Sequence, residues 1–458
     1  MNLLSISRSF FTQQWPFWLG GFFVGFSEIL FYVRYDKFIG VTTGFAQLYA
    51  VSEKYVFHID WVGRVYEPGV QWVILGAIAG ARLVAVLENE SRAWVQYHWR
   101  MLALAFIGGI FFSFGTRLAA GCTTHHFIGG LASMSIASWI VLLTGVPFAF
   151  LAFQMATWMG MGGYFRHQET RAIASLYCHD SEHPQPGYNP AYQPRQDLFR
   201  WLMNIFFFMF LGTPLYFAFF TSEIEGGISE MGWNPIAWMV LCGGLLGIGI
   251  AKCGFGTECA VMAPESIFTK PEFYRARGVP LSTYRLFRGM LPFQGFMMAI
   301  VIFNLFILFS WLTGHGAIPN ASRKYGLYWG HFLGGPLLAM GAVFMIGCEV
   351  RTYARLGLGY GTALAALPGF YVGYLPYTLF QDQIDAVAFS QGLTKYITLP
   401  QWMAATLGGS EALWSIVYSL FLVSLLVFSF EGGRRFFRIS LSRLLRSNTD
   451  ELVYHSST

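Results

Sequence analysis

The sequence predicts an all-α polytopic membrane protein of about ten transmembrane helices, with short re-entrant helices and two halves related as inverted repeats. Three observations predict it. Only 12% of the 458 residues are charged and 55% are hydrophobic, against roughly a quarter charged in a soluble domain, so the chain lacks the charge to coat a water-facing surface. Ten apolar runs approach the ~20 residues that a bilayer span needs. A glycine and cysteine spacing in the first half returns in the second.

The runs cover 15–31, 70–87, 102–120, 139–161 and 201–220, then 235–251, 290–312, 332–346, 356–375 and 413–430. They are apolar all round, whereas the strands of a membrane barrel alternate in polarity, so helices are predicted. The first fourteen residues hold one basic residue, Arg8, and no small-residue cleavage site; the first run is therefore expected to stay as a span and not to be a signal peptide. Three apolar stretches beside glycines are too short to cross: 38–49, 123–134 and 255–268. Irregular backbone at membrane depth is tolerated only where protein buries it or it lines a watery cavity. These stretches are expected to be re-entrant and to face one another around a central path.

The stretch 166–200 is the one that resembles a linker, with Pro184, Pro186, Pro190 and Pro194 among His, Asp and Gln. It divides the chain into a first membrane half, 1–165, and a second, 201–430, followed by a basic tail, 431–458. Gly115, Gly121 and Cys122 share their spacing with Gly341, Gly347 and Cys348, each set closing an apolar run. By span count the first of these runs points outward and the second inward, which makes the repeat an inverted one, a transporter signature. Orientation follows from charge. Lys270, Arg275, Arg277, Arg285 and Arg288 crowd one loop, Arg434, Arg435, Arg438, Arg443 and Arg446 the tail, and Arg166, Arg171, Arg195 and Arg200 the linker, while the connection with Glu223, Glu225 and Glu230 has no Lys or Arg. The positive-inside rule places the basic segments and both termini in the cytoplasm. The net charge of +5 is explained by that asymmetry and does not point to nucleic acid.

Six cysteines do not form a secreted disulfide pattern, because Cys122, Cys253, Cys259 and Cys348 lie in Gly-rich turns at membrane depth. Cys122 closes Gly115-Thr116-Arg117-Leu118-Ala119-Ala120-Gly121 and precedes Thr123-Thr124-His125-His126. Two glycines bend the chain there and a threonine starts a short helix, which puts the thiol at a helix N-terminus, where backbone N–H groups and the dipole favour anions. Most single buried cysteines are small hydrophobes; repetition argues otherwise for these, because Cys348 also follows a glycine and precedes Glu349. Cys242, mid-span, and Cys178, in the linker, keep the packing reading. Charges at membrane depth are costly and functional suspects by default: Arg82, Arg117, Lys252, Glu258, Glu265, Glu349, Arg351 and Arg355. Arg117 is the best placed to attract an anion, and structural pairing is the alternative for each. His125 and His126 can donate to an anion; as adjacent residues they diverge on a helix and make a poor metal pair. Cys178, His179 and His183 sit in a segment whose composition fits a solvated linker better than a metal site. No metal or cofactor is expected.

The loop 109–139, with its G-x-R-L-A-x-G-C pattern, resembles that of the YeeE/YedE family of membrane proteins associated with thiosulfate uptake and, in the YedE-like branch, with selenium metabolism. Gly347-Cys348-Glu349 within 334–373 resembles the family's second turn, 243–265 its third loop less closely, and 431–438 a basic ending of the YedE-like branch. Two family thiols are missing, since Phe38 is followed by Ile39 and Phe255 by Gly256. Cys259 comes three residues after the vacant position and can substitute if the segment is helical; in the first half Thr42 has the same offset. The resemblance implies an hourglass-like fold of inverted repeats in a bacterial inner membrane, and a path for a small sulfur-containing anion along Cys122, Cys348, Cys259 and Cys253 with Arg117, His125 and Glu349. No Walker-type loop is present, so ATP coupling is not expected. Two other classes stay open: a membrane sulfurtransferase handing a cysteine persulfide to a cytoplasmic TusA-like sulfur carrier, and a membrane anchor with incidental thiols.

Overall fold

A computed structural model describes residues 15–87, 99–159, 196–253, 281–322, 326–345, 347–437 and 440–446. Cys178, Cys259, Glu258, Glu265, the re-entrant stretch 255–268, the basic residues at 270–277 and most of the linker lie outside the described residues. Every apolar run read from the sequence falls on a helix. In chain order these are α1 (Phe17–Tyr35), α2 (Thr42–Ser52), α3 (Trp72–Leu87), α4 (Trp99–Leu118), α5 (Ile136–Trp158), α6 (Gln196–Phe220), α7 (Trp233–Cys253), α8 (Leu281–Leu312), α9 (Trp329–Phe344), α10 (Glu349–Leu358), α11 (Gly361–Leu379), α12 (Gln381–Ala388), α13 (Leu399–Leu407) and α14 (Glu411–Phe437). A two-stranded ribbon joins Leu327–Tyr328 to Gly392–Thr394.

The chain is thus an all-α polytopic membrane protein. Among the described residues seven helical stretches are long and apolar enough to cross a bilayer, and an eighth is added if α11 and α12, which meet at 81°, count as one span. The remaining two of the ten expected spans correspond to α3 and to α6, whose Trp72–Leu87 and Asn204–Phe220 parts are apolar. Leu143 and Phe150 on α5, Phe208 on α6, Phe309 on α8 and Leu420 and Phe428 on α14 are exposed, an outward apolar surface suited to lipid and not to water.

The halves interlock. Helix α4 packs against α9 and α11, and α9 in turn against α5; α7 packs against α3, as α8 does against α1; α10 packs against α3, as the π-helical turn Thr124–Gly130 does against α8. Matching α1, α3, α4, the π turn and α5 with α7, α8, α9, α10 and α11 turns each of these contacts into its reciprocal, as a two-fold relation between halves requires. The register agrees: α4 ends at Leu118 and α9 at Phe344, 226 residues later, the interval that separates Cys122 from Cys348.

The short stretches 38–49 and 123–134 are largely buried. Helix α2 runs on into a π turn, Glu53–Phe57, and the 123–134 stretch is a π turn ending at Gly130. One boundary differs from expectation. The run read as 356–375 is broken, because Gly359 adopts φ 90° and the N–H groups of Gly359 and Tyr360 close back on the α10 carbonyls of Leu356 and Arg355, a left-handed helix stop that glycine adopts without steric cost. All ten residues of α10 are buried. Two arginines flagged at membrane depth serve helix ends: Arg355 donates to the Met345 carbonyl (3.1 Å) and to Thr362 Oγ1 (2.8 Å), and Arg82 reaches the Gly357 carbonyl (3.5 Å).

Candidate functional site

The site begins where α4 stops. Ala120 takes φ 56° and Gly121 N–H returns to the Thr116 carbonyl, so the chain turns out of α4 over residues 119–121 and reaches Cys122 outside the helix. A left-handed alanine costs roughly 1 kcal/mol and is held here by the surrounding packing. The Cys122 carbonyl accepts from His126 N–H (2.9 Å), and the thiol sulfur accepts from His125 N–H (3.5 Å). Cys122 therefore caps the π turn with its sulfur, which leaves the S–H proton for another acceptor.

Arg117, one turn earlier on α4, is 8% exposed. Its guanidinium donates to Tyr66 OH (2.6 Å) and to Thr116 Oγ1 (3.4 Å), with the Tyr66 and Tyr374 rings each 5.3 Å from its centre. Cation–π contacts of this kind hold a charge without neutralising it. Among the described residues no carboxylate lies within 4 Å of it.

The second half contributes Glu349, the first residue of α10 and wholly buried. Thr42, at the start of α2, donates its hydroxyl to Glu349 Oε2 (3.2 Å). The same carboxylate lies beside the Cys122 thiol and in the field of Arg117. Two phenols brace the entry to α2: Tyr374 OH donates to the Thr42 carbonyl (3.0 Å) and Tyr353 OH to that of Val41 (3.4 Å).

These groups border a cavity of about 420 Å³ whose wall includes Gly40, Thr42, Tyr66, Arg117, Cys122, His125, Ala321, Tyr377 and Gln381. Exposed Gly40 and Thr43 mark its open side, at the end of the bundle that carries the 58–71 loop and α12. His125 Nε2 sits 3.0 Å from the Ala321 carbonyl; a carbonyl only accepts, so Nε2 carries the proton. His126 faces away, both ring nitrogens taken by Ser138 Oγ and the Ala119 carbonyl. Polar atoms without a partner cluster nearby: among the described residues the hydroxyls of Thr123 and Thr124 and Glu349 Oε1 are buried and unbonded.

Of the residues singled out in the sequence, Arg117, Cys122 and His125 share the cavity wall and Glu349 lies just behind it. Cys348 caps α10, its carbonyl accepting from Thr352 N–H (2.8 Å) and Oγ1 (2.9 Å); it is buried and off that wall. Cys253 belongs elsewhere: its thiol donates to the Gly249 carbonyl (2.8 Å), and a Cβ at Gly20 would fall 2.1 Å from the sulfur, so it packs α7 onto α1. Sequence reasoning missed Tyr66 and Tyr374, which carry no motif, and Glu28, buried on α1 and accepting from Ile39 N–H (2.9 Å).

No curated protein matches the chain. The segment that supplies Arg117, Cys122 and His125 does carry a family signature: residues 2–146 match the family model for sulphur transport, that of the YeeE/YedE family.

Proposed function

We propose that this chain is a transporter or channel for thiosulfate or a related small sulfur or selenium anion, entering through the Arg117 cavity and passing along cysteine thiols. One observation carries the reading: a buried guanidinium with no carboxylate within 4 Å among the described residues and a cysteine thiol border the same open cavity. Arg117 supplies attraction in a partly dehydrated site, where charge acts more strongly than in water. Cys122 supplies a weak, soft donor that tolerates the terminal sulfur of thiosulfate; sulfate lacks that end. Weak successive contacts let an ion enter and also leave. Cys348, at the equivalent cap of the second half, is the next thiol in this reading. The family match over 2–146 supports a sulphur-transport role in general.

Handing a persulfide to a carrier protein needs a reachable thiol, and the four described cysteines are all buried, which favours transport over sulfurtransfer. The test is uptake of labelled thiosulfate into proteoliposomes. Cys122→Ser, which keeps size and a donor but loses the soft sulfur, should lower uptake at least tenfold with an unchanged melting curve. Full uptake by the Cys122→Ser, Cys348→Ser double variant would return both residues to packing.

A further inference from the structure

Glu349 poses an electrostatic problem that the anion path does not by itself solve. The carboxyl group is wholly buried; it faces two neutral donors, the Thr42 hydroxyl at Oε2 and the Cys122 thiol, and Oε1 has no hydrogen-bond partner among the described residues. Buried ionised carboxylates ordinarily collect several donors or a close cation, as Glu53 does in this chain with three backbone N–H groups and Tyr371. The groups facing Glu349 do not offer that. From α4 and its turn come Arg117, engaged with Tyr66, and the Cys122 thiol; from α2, Thr42; from α10 and α11, Tyr353 and Tyr374, whose hydroxyls donate to backbone carbonyls instead. An anion seated at Arg117 and Cys122 lies next to this carboxyl. Ionised, Glu349 repels it; protonated, it presents a neutral O–H beside the same thiol.

We propose that Glu349 is the proton-coupling site of the transporter, taking up one proton from water as a dianion seats at Arg117 and Cys122 and releasing it when the anion leaves. No other bond forms or breaks. The cavity wall at Thr42 and Cys122 is the proton's way in, and anion and proton bind with mutual assistance because each reduces the charge that opposes the other. Thiosulfate affinity then rises up to about tenfold per unit fall in pH wherever the empty site is ionised.

The proposal rests on the anion reading above, and calorimetry separates the two. Thiosulfate is titrated into full-length protein in two buffers of different ionisation enthalpy at one pH, which counts the protons taken up per anion bound. The wild type should take up about one. Glu349→Gln, neutral and nearly isosteric, should still bind thiosulfate with a count near zero, and its proteoliposome uptake should no longer respond to an acidic exterior. Binding by the wild type without proton uptake overturns the coupling alone, and does so whether or not the variant folds. A count of one retained by Glu349→Gln also overturns it and moves the site to His125. Absence of thiosulfate binding to the wild type overturns the anion reading and the coupling together.

Discussion

Replacing Arg117 by Gln removes one positive charge from the cavity wall while leaving donors that can still reach Tyr66. Unit charges 4–5 Å apart interact by about 3–4 kcal/mol at an effective dielectric of ~20. Two features of the site reduce that figure for a bound anion: the cavity is open to water on the Gly40 side, and the Glu349 carboxyl already lies in the Arg117 field. About 2 kcal/mol remains, roughly a 30-fold loss of affinity. The measurement is the initial rate of labelled thiosulfate uptake against substrate concentration, normalised to folded protein. Arg117→Gln should act mainly on the half-saturating concentration. Arg117→Lys should recover part of the loss, since it restores charge but not the planar contact with Tyr66 and Tyr374. Uptake by Arg117→Gln within threefold of the wild type, with normal folding, would refute an electrostatic role and leave Arg117 as a brace for the two tyrosines.

Two further outcomes follow from the fold around the site. Glu53→Gln should loosen the 58–71 loop that carries Tyr66, because Oε2 holds the N–H groups of Trp61, Val62 and Gly63 at 2.8–3.1 Å; a loss of about 1–3 kcal/mol should appear as a lower melting temperature and faster amide exchange over that loop, and unchanged exchange would contradict the assignment. Reporter fusions should read Glu230 as external and the C-terminus as cytoplasmic. The 221–227 connection pairs with the 58–71 loop through Val70 N–H to the Glu225 carbonyl (2.9 Å) and with the Glu53–Phe57 π turn through Lys54 to Glu223 (3.0 Å), so a cytoplasmic reading at Glu230 would put the cavity mouth on the cytoplasmic side and contradict this orientation.

Spans were legible because hydropathy is a local property: twenty apolar residues read the same in any tertiary setting. The cysteine caps were legible for a similar reason, since a glycine followed by a thiol and a threonine or glutamate is a local instruction to leave one helix and start another. The tertiary setting of those thiols was not. Cys253 has the same Gly-rich company as Cys122 in sequence, yet it packs on Gly20, a neighbour more than two hundred residues away. Arg355 and Arg117 look alike as intramembrane charges; only the structure shows that one closes the end of α9 and the other faces a cavity. Tyr66 and Tyr374 could not be found at all, because a tyrosine among 23 tyrosines carries no pattern until the chain brings it over a guanidinium.

The repeated spacing itself acquires a mechanical meaning from the packing. The first glycine of each motif is where the halves touch: a Cβ on Gly341 would lie 2.4 Å from Phe112 N, and one on Gly115 would lie 2.6 Å from Leu338 N. Each therefore seats its own helix against the motif-bearing helix of the other half, a close approach that small residues permit in membranes. The second glycine, Gly121 or Gly347, falls six residues later, where the chain has left its helix; a Cβ on Gly121 would press within 2.5 Å of the His125 ring. The cysteine follows as the cap of the re-entrant turn. Spacing between the glycines fixes how far each cap stands beyond the helix contact, so both caps are held at set distances from the same α4 and α9 interface. That is how Glu349, next to one cap, comes to lie beside Cys122, the other. Neither half can build this arrangement alone, because Arg117 and Glu349 arrive from opposite halves of the chain.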